Sequence, residues 1–172
     1  MKKLLFAAFM IIGLTINAQE DTSTPTEKGK ILIEVNTGAR TIGNTGGYIR
    51  SNDYGTFWSL GFEGGYFTID NLAVKLGLGY YYGSESVDAL EYKIGAEYYI
   101  KGIVPIGIDF TGVSYFSENY PNSNSNWLGL QGGYAYFLGE NVSIKPALRY
   151  NIGLEDGQKG VFQGLIGFAL YF

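Results

Sequence analysis

From Lys30 to Phe172, apolar residues recur at every second position. That period belongs to β-strands, whose side chains alternate between two faces. Eight stretches carry it: 30–42, 57–68, 72–82, 91–101, 106–116, 127–138, 142–153 and 161–172. Each reaches the roughly 9–11 residues that a tilted strand needs to cross hydrocarbon. Each is about twice the ~5–6 residues of an ordinary soluble strand. One parity is greasy, as at Ile33, Phe62, Leu76, Ile94, Ile108, Leu130, Leu148 and Phe168. The other carries Glu34, Arg40, Glu63, Lys75, Lys93, Glu97, Lys101, Asp109, Lys145 and Arg149, with glycines such as Gly61, Gly77, Gly95 and Gly129 between them.

Alternation alone leaves the facing open. A soluble ligand-binding barrel turns its apolar parity inward, and a membrane barrel turns it outward. Two features of the strands, together with the export signal and closed sheet described below, select the membrane. The chain has 26 glycines in 172 residues and only 16% charged residues, so the polar parity is too small and too sparsely charged for a water-facing surface. Small residues suit the narrow lumen of an eight-stranded barrel. Aromatics gather at both ends of the greasy parity. Trp58, Tyr80, Tyr82, Tyr92 and Tyr150 lie toward the long loops, and Tyr66, Tyr98, Tyr134, Tyr136 and Phe172 toward the short turns. Amphipathic rings favour those two boundaries of a bilayer. Long and short connections also alternate, as in outer-membrane barrels. The expected fold is therefore all-β: an eight-stranded antiparallel up-and-down transmembrane β-barrel over residues 30–172. Pro146 inside the seventh strand predicts a bulge or kink there.

Residues 1–18 read as a signal peptide. Lys2 and Lys3 precede the apolar run Leu4–Leu14, and "TINAQ" offers cleavage after Ala18. The run falls short of the ~20 residues that span a bilayer as a helix. Residues 19–29 are polar and read as a flexible periplasmic leader. Export and a closed sheet together predict an outer membrane.

The chain contains neither Cys nor His. A disulfide framework, a thiolate or imidazole metal site, and a nucleophile served by His are thereby excluded. Glu63 and Glu97 read as ion-pair partners in preference to an acid/base couple, so no catalytic residue, metal or cofactor is expected. A net charge of −4 leaves no basic footprint for nucleic acid. Glu85, Asp88, Glu91, Glu118, Glu155 and Asp156 read as solvated loop charge, and Asn119–Asn126 as a flexible contact tip.

The last stretch places Phe162, Ile166, Phe168, Leu170 and Phe172 on one parity. It resembles the C-terminal signature of Gram-negative outer-membrane β-barrel proteins. The eight-strand pattern resembles the small barrels of that family, OmpA-barrel-like or OmpX-like. The resemblance implies that Phe168, Leu170 and Phe172 form an assembly signal read by the barrel-assembly machinery. It also implies outer-membrane lipid around the wall and an extracellular ligand or surface partner at the loops. Small barrel enzymes of this kind use a His, which this chain lacks. The expected function is structural or surface-interacting, around a narrow salt-bridged interior centred on Glu63, Glu97, Lys75 and Arg149. The alternative is a small pore or an uptake route for small molecules, hydrophobic ones included.

Overall fold

Turns at Asp70–Asn71, Lys101–Ile103 and Glu140–Asn141 fold the chain back on itself as antiparallel hairpins. Asn71 and Gly102 adopt positive φ (65° and 74°), the left-handed conformation that Asn and Gly tolerate best. The computed structural model describes residues 24–38, 44–53, 55–83, 87–117 and 123–172. Its strands are β1 (Ile31–Asn36), β2 (Tyr48–Asn52), β3 (Gly55–Ile69), β4 (Leu72–Gly83) and β5 (Val87–Ile100). β6 (Val104–Ser117), β7 (Ser123–Gly133), β8 (Tyr136–Gly139), β9 (Val142–Gly153) and β10 (Val161–Tyr171) follow. β1 pairs with β10 on one side (Glu34 opposite Ala169) and with β3 on the other (Glu34 opposite Glu63), which closes the sheet into a barrel. β7 and β8 lie in line as one wall strand, and β2 rises beside β3 as a hairpin. Among the described residues the wall therefore has eight strands.

Closure leaves no open edge across the wall, and it turns the usual burial pattern inside out. Leu76 is 60% exposed and Phe168 41%, whereas Glu63 is 3% and Lys93 4%. The greasy parity faces outward and the ionised parity inward.

Several expectations are corrected. The first strand ends at Asn36, well before Ile42. Tyr48–Asn52, expected to be loop, is a strand whose Ile49 pairs with Trp58, because "YIRSN" joins β-formers to a turn sequence. β5 starts at Val87 and β7 at Ser123, so part of the expected contact tip is wall. Pro146 does not interrupt its own strand. The break falls opposite it, at Tyr134–Ala135 between β7 and β8. Tyr134 N donates to the Pro146 carbonyl at 3.0 Å, and proline has no N–H to return.

Residues 24–29 form turns docked under the barrel. Thr26 is buried, its hydroxyl donates to Asn71 Oδ1 at 2.7 Å, and Gly29 N donates to the Phe67 carbonyl at 2.8 Å. That part of the expected flexible leader is a fitted cap. Residues 1–23, and with them the export signal and cleavage near Ala18, lie outside the described residues.

Large side chains also enter the lumen at both ends. Near the turns, Leu32, Phe67, Ala73, Tyr99, Ala135, Ala169 and Tyr171 make an apolar floor, with Phe67 and Tyr99 rings 5.7 Å apart. Near the loops, Tyr81, Ala89 and Val113 pack with Tyr48, Phe57 and Tyr115.

Candidate functional site

Between these two apolar layers lie the buried charges. Glu34 and Glu63 sit directly opposite across the β1–β3 seam, a pairing that repels unless a cation intervenes. Lys75 supplies the cation: its Nζ lies 2.9 Å from each carboxylate and 3.6 Å from Glu97. Lys145 Nζ donates to Glu34 at 2.8 Å, to Glu97 at 2.6 Å and to the Tyr99 hydroxyl at 2.9 Å. Lys75, Glu34, Lys145 and Glu97 thus close an alternating ring. Glu63 carries the chain of charge on to Lys93, 2.5 Å away. Three carboxylates face three ammonium groups, so the cluster is neutral as a whole. An isolated ion so deeply buried would cost several kcal/mol.

A second group stands beside it. Arg149 grips Asp109 with both terminal guanidinium nitrogens, at 2.5 and 2.6 Å, and its Nε donates to Asn151 Oδ1 at 2.7 Å. This forked geometry is the strongest ion-pair arrangement that Arg makes. Gly129 makes room for it, since a Cβ there would lie 2.0 Å from an Arg149 nitrogen. A cavity of about 10 Å³ touches both groups and is lined by Glu63, Lys75, Lys93, Glu97, Asp109 and Gln131, with room for about one water.

Above Glu63 the lumen is filled by the chain itself. Asn44 and Thr45, between β1 and β2, are buried. Lys93 Nζ donates to Asn44 Oδ1 at 2.6 Å, and the Thr45 hydroxyl donates to Glu63 Oε1 at 3.1 Å.

The structure brings together Glu34, Glu63, Lys75, Lys93, Glu97 and Lys145. It also joins Arg149 to Asp109, a pairing that the expected centre on Glu63, Glu97, Lys75 and Arg149 did not include. Lys101 is corrected: it is exposed in the β5–β6 turn at φ 53°, where the chain reverses and the two-residue period stops. Arg40 lies outside the described residues. Glu91, expected in a loop, is buried on the inward parity of β5. Asn36, Asn44, Thr45 and Asn151 were missed. Asn36 and Asn151 share the inward parity of their strands, a signal that charge-counting passed over. Asn44 and Thr45 lie in a connection and give no periodic signal.

Outside, Trp58, Tyr66, Tyr80, Tyr82, Tyr92, Tyr98, Tyr134, Tyr136 and Tyr150 are all exposed. Trp58 stacks on Tyr82 at 6.0 Å, and the Tyr80 hydroxyl donates to Asp88 at 2.8 Å. In the last strand Phe168 and Phe172 face outward, and Leu170 is half-buried. Phe172 N donates to the Ile31 carbonyl at 2.9 Å and finishes the seam with β1.

No family model and no curated protein matches the sequence. Solved structures do match. The N-terminal β-barrel domain of Pseudomonas aeruginosa OprF aligns with a TM-score of 0.56 at 16% identity, covering 84% of this chain and 98% of that one. The chain has the fold of the small eight-stranded outer-membrane barrels. Ail, the attachment invasion locus protein of Yersinia pestis, aligns over 84% of this chain and 99% of its own, with 14% identity and a TM-score of 0.43. The outer membrane protein AlkL, solved in DMPC bilayers, aligns over 91% of this chain and 96% of its own, with 15% identity and a TM-score of 0.46.

Proposed function

We propose that the protein is an integral outer-membrane barrel of a Gram-negative bacterium, exported with cleavage near Ala18, that acts as a structural or surface-interaction protein and not as a conduit. The observation that carries this reading is the filled lumen. A fitted cap, an aromatic floor, a neutral ion ring and a buried chain segment lie one above another along its axis. The pore or uptake alternative would need a path through all four.

The apolar wall and its exposed aromatics support lipid as the surrounding partner. The outward Phe168 and Phe172 support recognition of β10 by the assembly machinery. What remains for an extracellular partner is the loop end. There the β2–β3 hairpin presents Ile49, 77% exposed. The 154–158 turn is tied to β7, because Glu155 Oε1 accepts from Asn126 N at 2.6 Å and from Asn126 Nδ2 at 3.0 Å. Rim segments tied down in this way lose little entropy on binding.

Folded protein from an outer-membrane fraction should migrate differently from boiled protein. In planar bilayers it should give no resolvable current. Steady conductance would overturn the closed-lumen reading, and recovery in the soluble fraction with unchanged mobility would overturn the membrane reading. Deletion of 49–53 or 154–158 should then abolish binding to whichever surface partner a screen returns.

A further inference from the structure

Asn44 to Gly46, between β1 and β2, lie inside the barrel, and two glycines make their seat. A Cβ on Gly61 would stand 2.9 Å from the Thr45 carbonyl carbon, and one on Gly77 would stand 2.7 Å from Thr45 Oγ1. Packed side chains do not approach that closely, so Thr45 occupies space that only glycine leaves free.

Asn36, the last residue of β1, holds the segment. Its Nδ2 donates to Glu63 Oε1 at 3.1 Å and to the Thr45 carbonyl at 3.4 Å. Its Oδ1 accepts from Gly38 N at 2.9 Å and from Asn44 Nδ2 at 2.7 Å. A carboxamide has two donors and two acceptor sites, and all four are used. The Asn36 main-chain carbonyl accepts from Gly47 N at 2.8 Å, and the Ser59 hydroxyl donates to the Gly46 carbonyl at 2.9 Å. Asn44, Thr45 and Gly46 bring no large apolar side chain with them. The segment is held by hydrogen bonds, which water can replace, whereas the strands beneath it are held by a closed ladder. Such a segment opens before the wall does.

We propose that Asn44–Gly46 is a removable stopper, and that its withdrawal uncovers a blind polar cup on the loop side of the Glu63–Lys93 pair. The cup is walled by Asn36, Ser59, Gly61 and Gly77, and its base is the Glu63–Lys93 pair. The Lys75 ring and the aromatic floor stay in place beneath, so water and small polar solutes enter without passing through. This inference rests on the closed-lumen reading above.

The chain has no cysteine, so the Thr45→Cys variant carries a single reporter thiol. Its modification by a small, membrane-impermeant thiosulfonate is followed in the full-length protein in lipid vesicles. Ser51→Cys on exposed β2 and Ala73→Cys in the floor serve as references. Thr45→Cys should react completely but about a hundredfold more slowly than Ser51→Cys, while Ala73→Cys stays unreacted. Adding Asn36→Ala should speed Thr45→Cys by about tenfold and leave both references unchanged. Ser59→Ala, a milder loss, should act in the same direction should Asn36→Ala fail to give the folded gel mobility.

Reaction as fast as at Ser51→Cys would mean that the segment is not seated. Protection equal to that at Ala73→Cys would mean that it does not leave. A rate indifferent to both Asn36→Ala and Ser59→Ala would remove the proposed anchor. Conductance appearing only in the Asn36→Ala protein would show a through-path and overturn the blind cup. Conductance in the unmodified protein would overturn the closed lumen itself, a separate failure.

Discussion

Toward the turns, buried charges neutralise one another: Lys75 and Lys145 alternate with Glu34 and Glu97, and every member comes from a strand. Toward the loops, Glu63 and Lys93 complete their shells with Thr45 and Asn44, which come from a connection. Both regions satisfy buried polar groups. They differ in what would have to move to expose them. Opening the lower region means parting the wall, because its ligands are anchored in the ladder. Opening the upper region means shifting a short segment. A narrow barrel can therefore be rigid at one depth and adjustable at another, with the same chemistry at both.

Substitutions on neighbouring residues of β4 separate the two regions. Lys75→Met should cost the most, about 3–5 kcal/mol, because it removes the cation between Glu34 and Glu63 and leaves three buried carboxylates to two ammonium groups. Urea unfolding in lipid vesicles measures it, and a loss below that of the loop-end variant would reverse the comparison. Leu76→Arg, one residue on but outward, should cost about 2–4 kcal/mol in the same assay if it sits at the bilayer midplane, because it carries a charge into lipid. Neutrality there would count against a lipid-facing wall. Gly77→Val should cost about 1–3 kcal/mol by displacing Thr45. It should also speed modification of the Thr45→Cys reporter, whereas Lys75→Met should slow or spare it. Lys101→Ala should stay within about 0.5 kcal/mol, since an exposed turn lysine shares no charge with the ring. A larger loss would return Lys101 to the lumen.

The lower region was legible in the sequence and the upper region largely was not. Period-two alternation assigns Glu34, Glu63, Lys75, Glu97 and Lys145 to one face, and the width of an eight-stranded barrel forces them together. Their partners were harder to read. Strand tilt shifts heights around the barrel, and it brings Asp109 of β6 to Arg149 of β9. Lys101 was misplaced because parity was carried one residue past the end of β5. Phe67, Tyr99 and Tyr171 share the charged parity, but a lumen read from charged and small residues passes them over. Asn44 and Thr45 lay beyond reach for a different reason. A connection has no period, and "GNTGG" is ordinary loop chemistry until Gly61 and Gly77, distant in sequence, are seen to cradle it.

The ring takes Glu34 from β1, Lys75 from β4, Glu97 from β5 and Lys145 from β9, so it draws on both halves of the chain. No hairpin contains a complete set. A sheet still waiting for β1 to bridge β3 and β10 holds ammonium groups and carboxylates without their full complement, and lipid penalises such a state. Closure by β1 therefore brings in Glu34, the carboxylate that balances the third ammonium group of the cluster. Fluorescent reporters on β4 and on β9 should accordingly lose their signals together during denaturation. Two separated transitions would mean that the electrostatic latch does not govern closure.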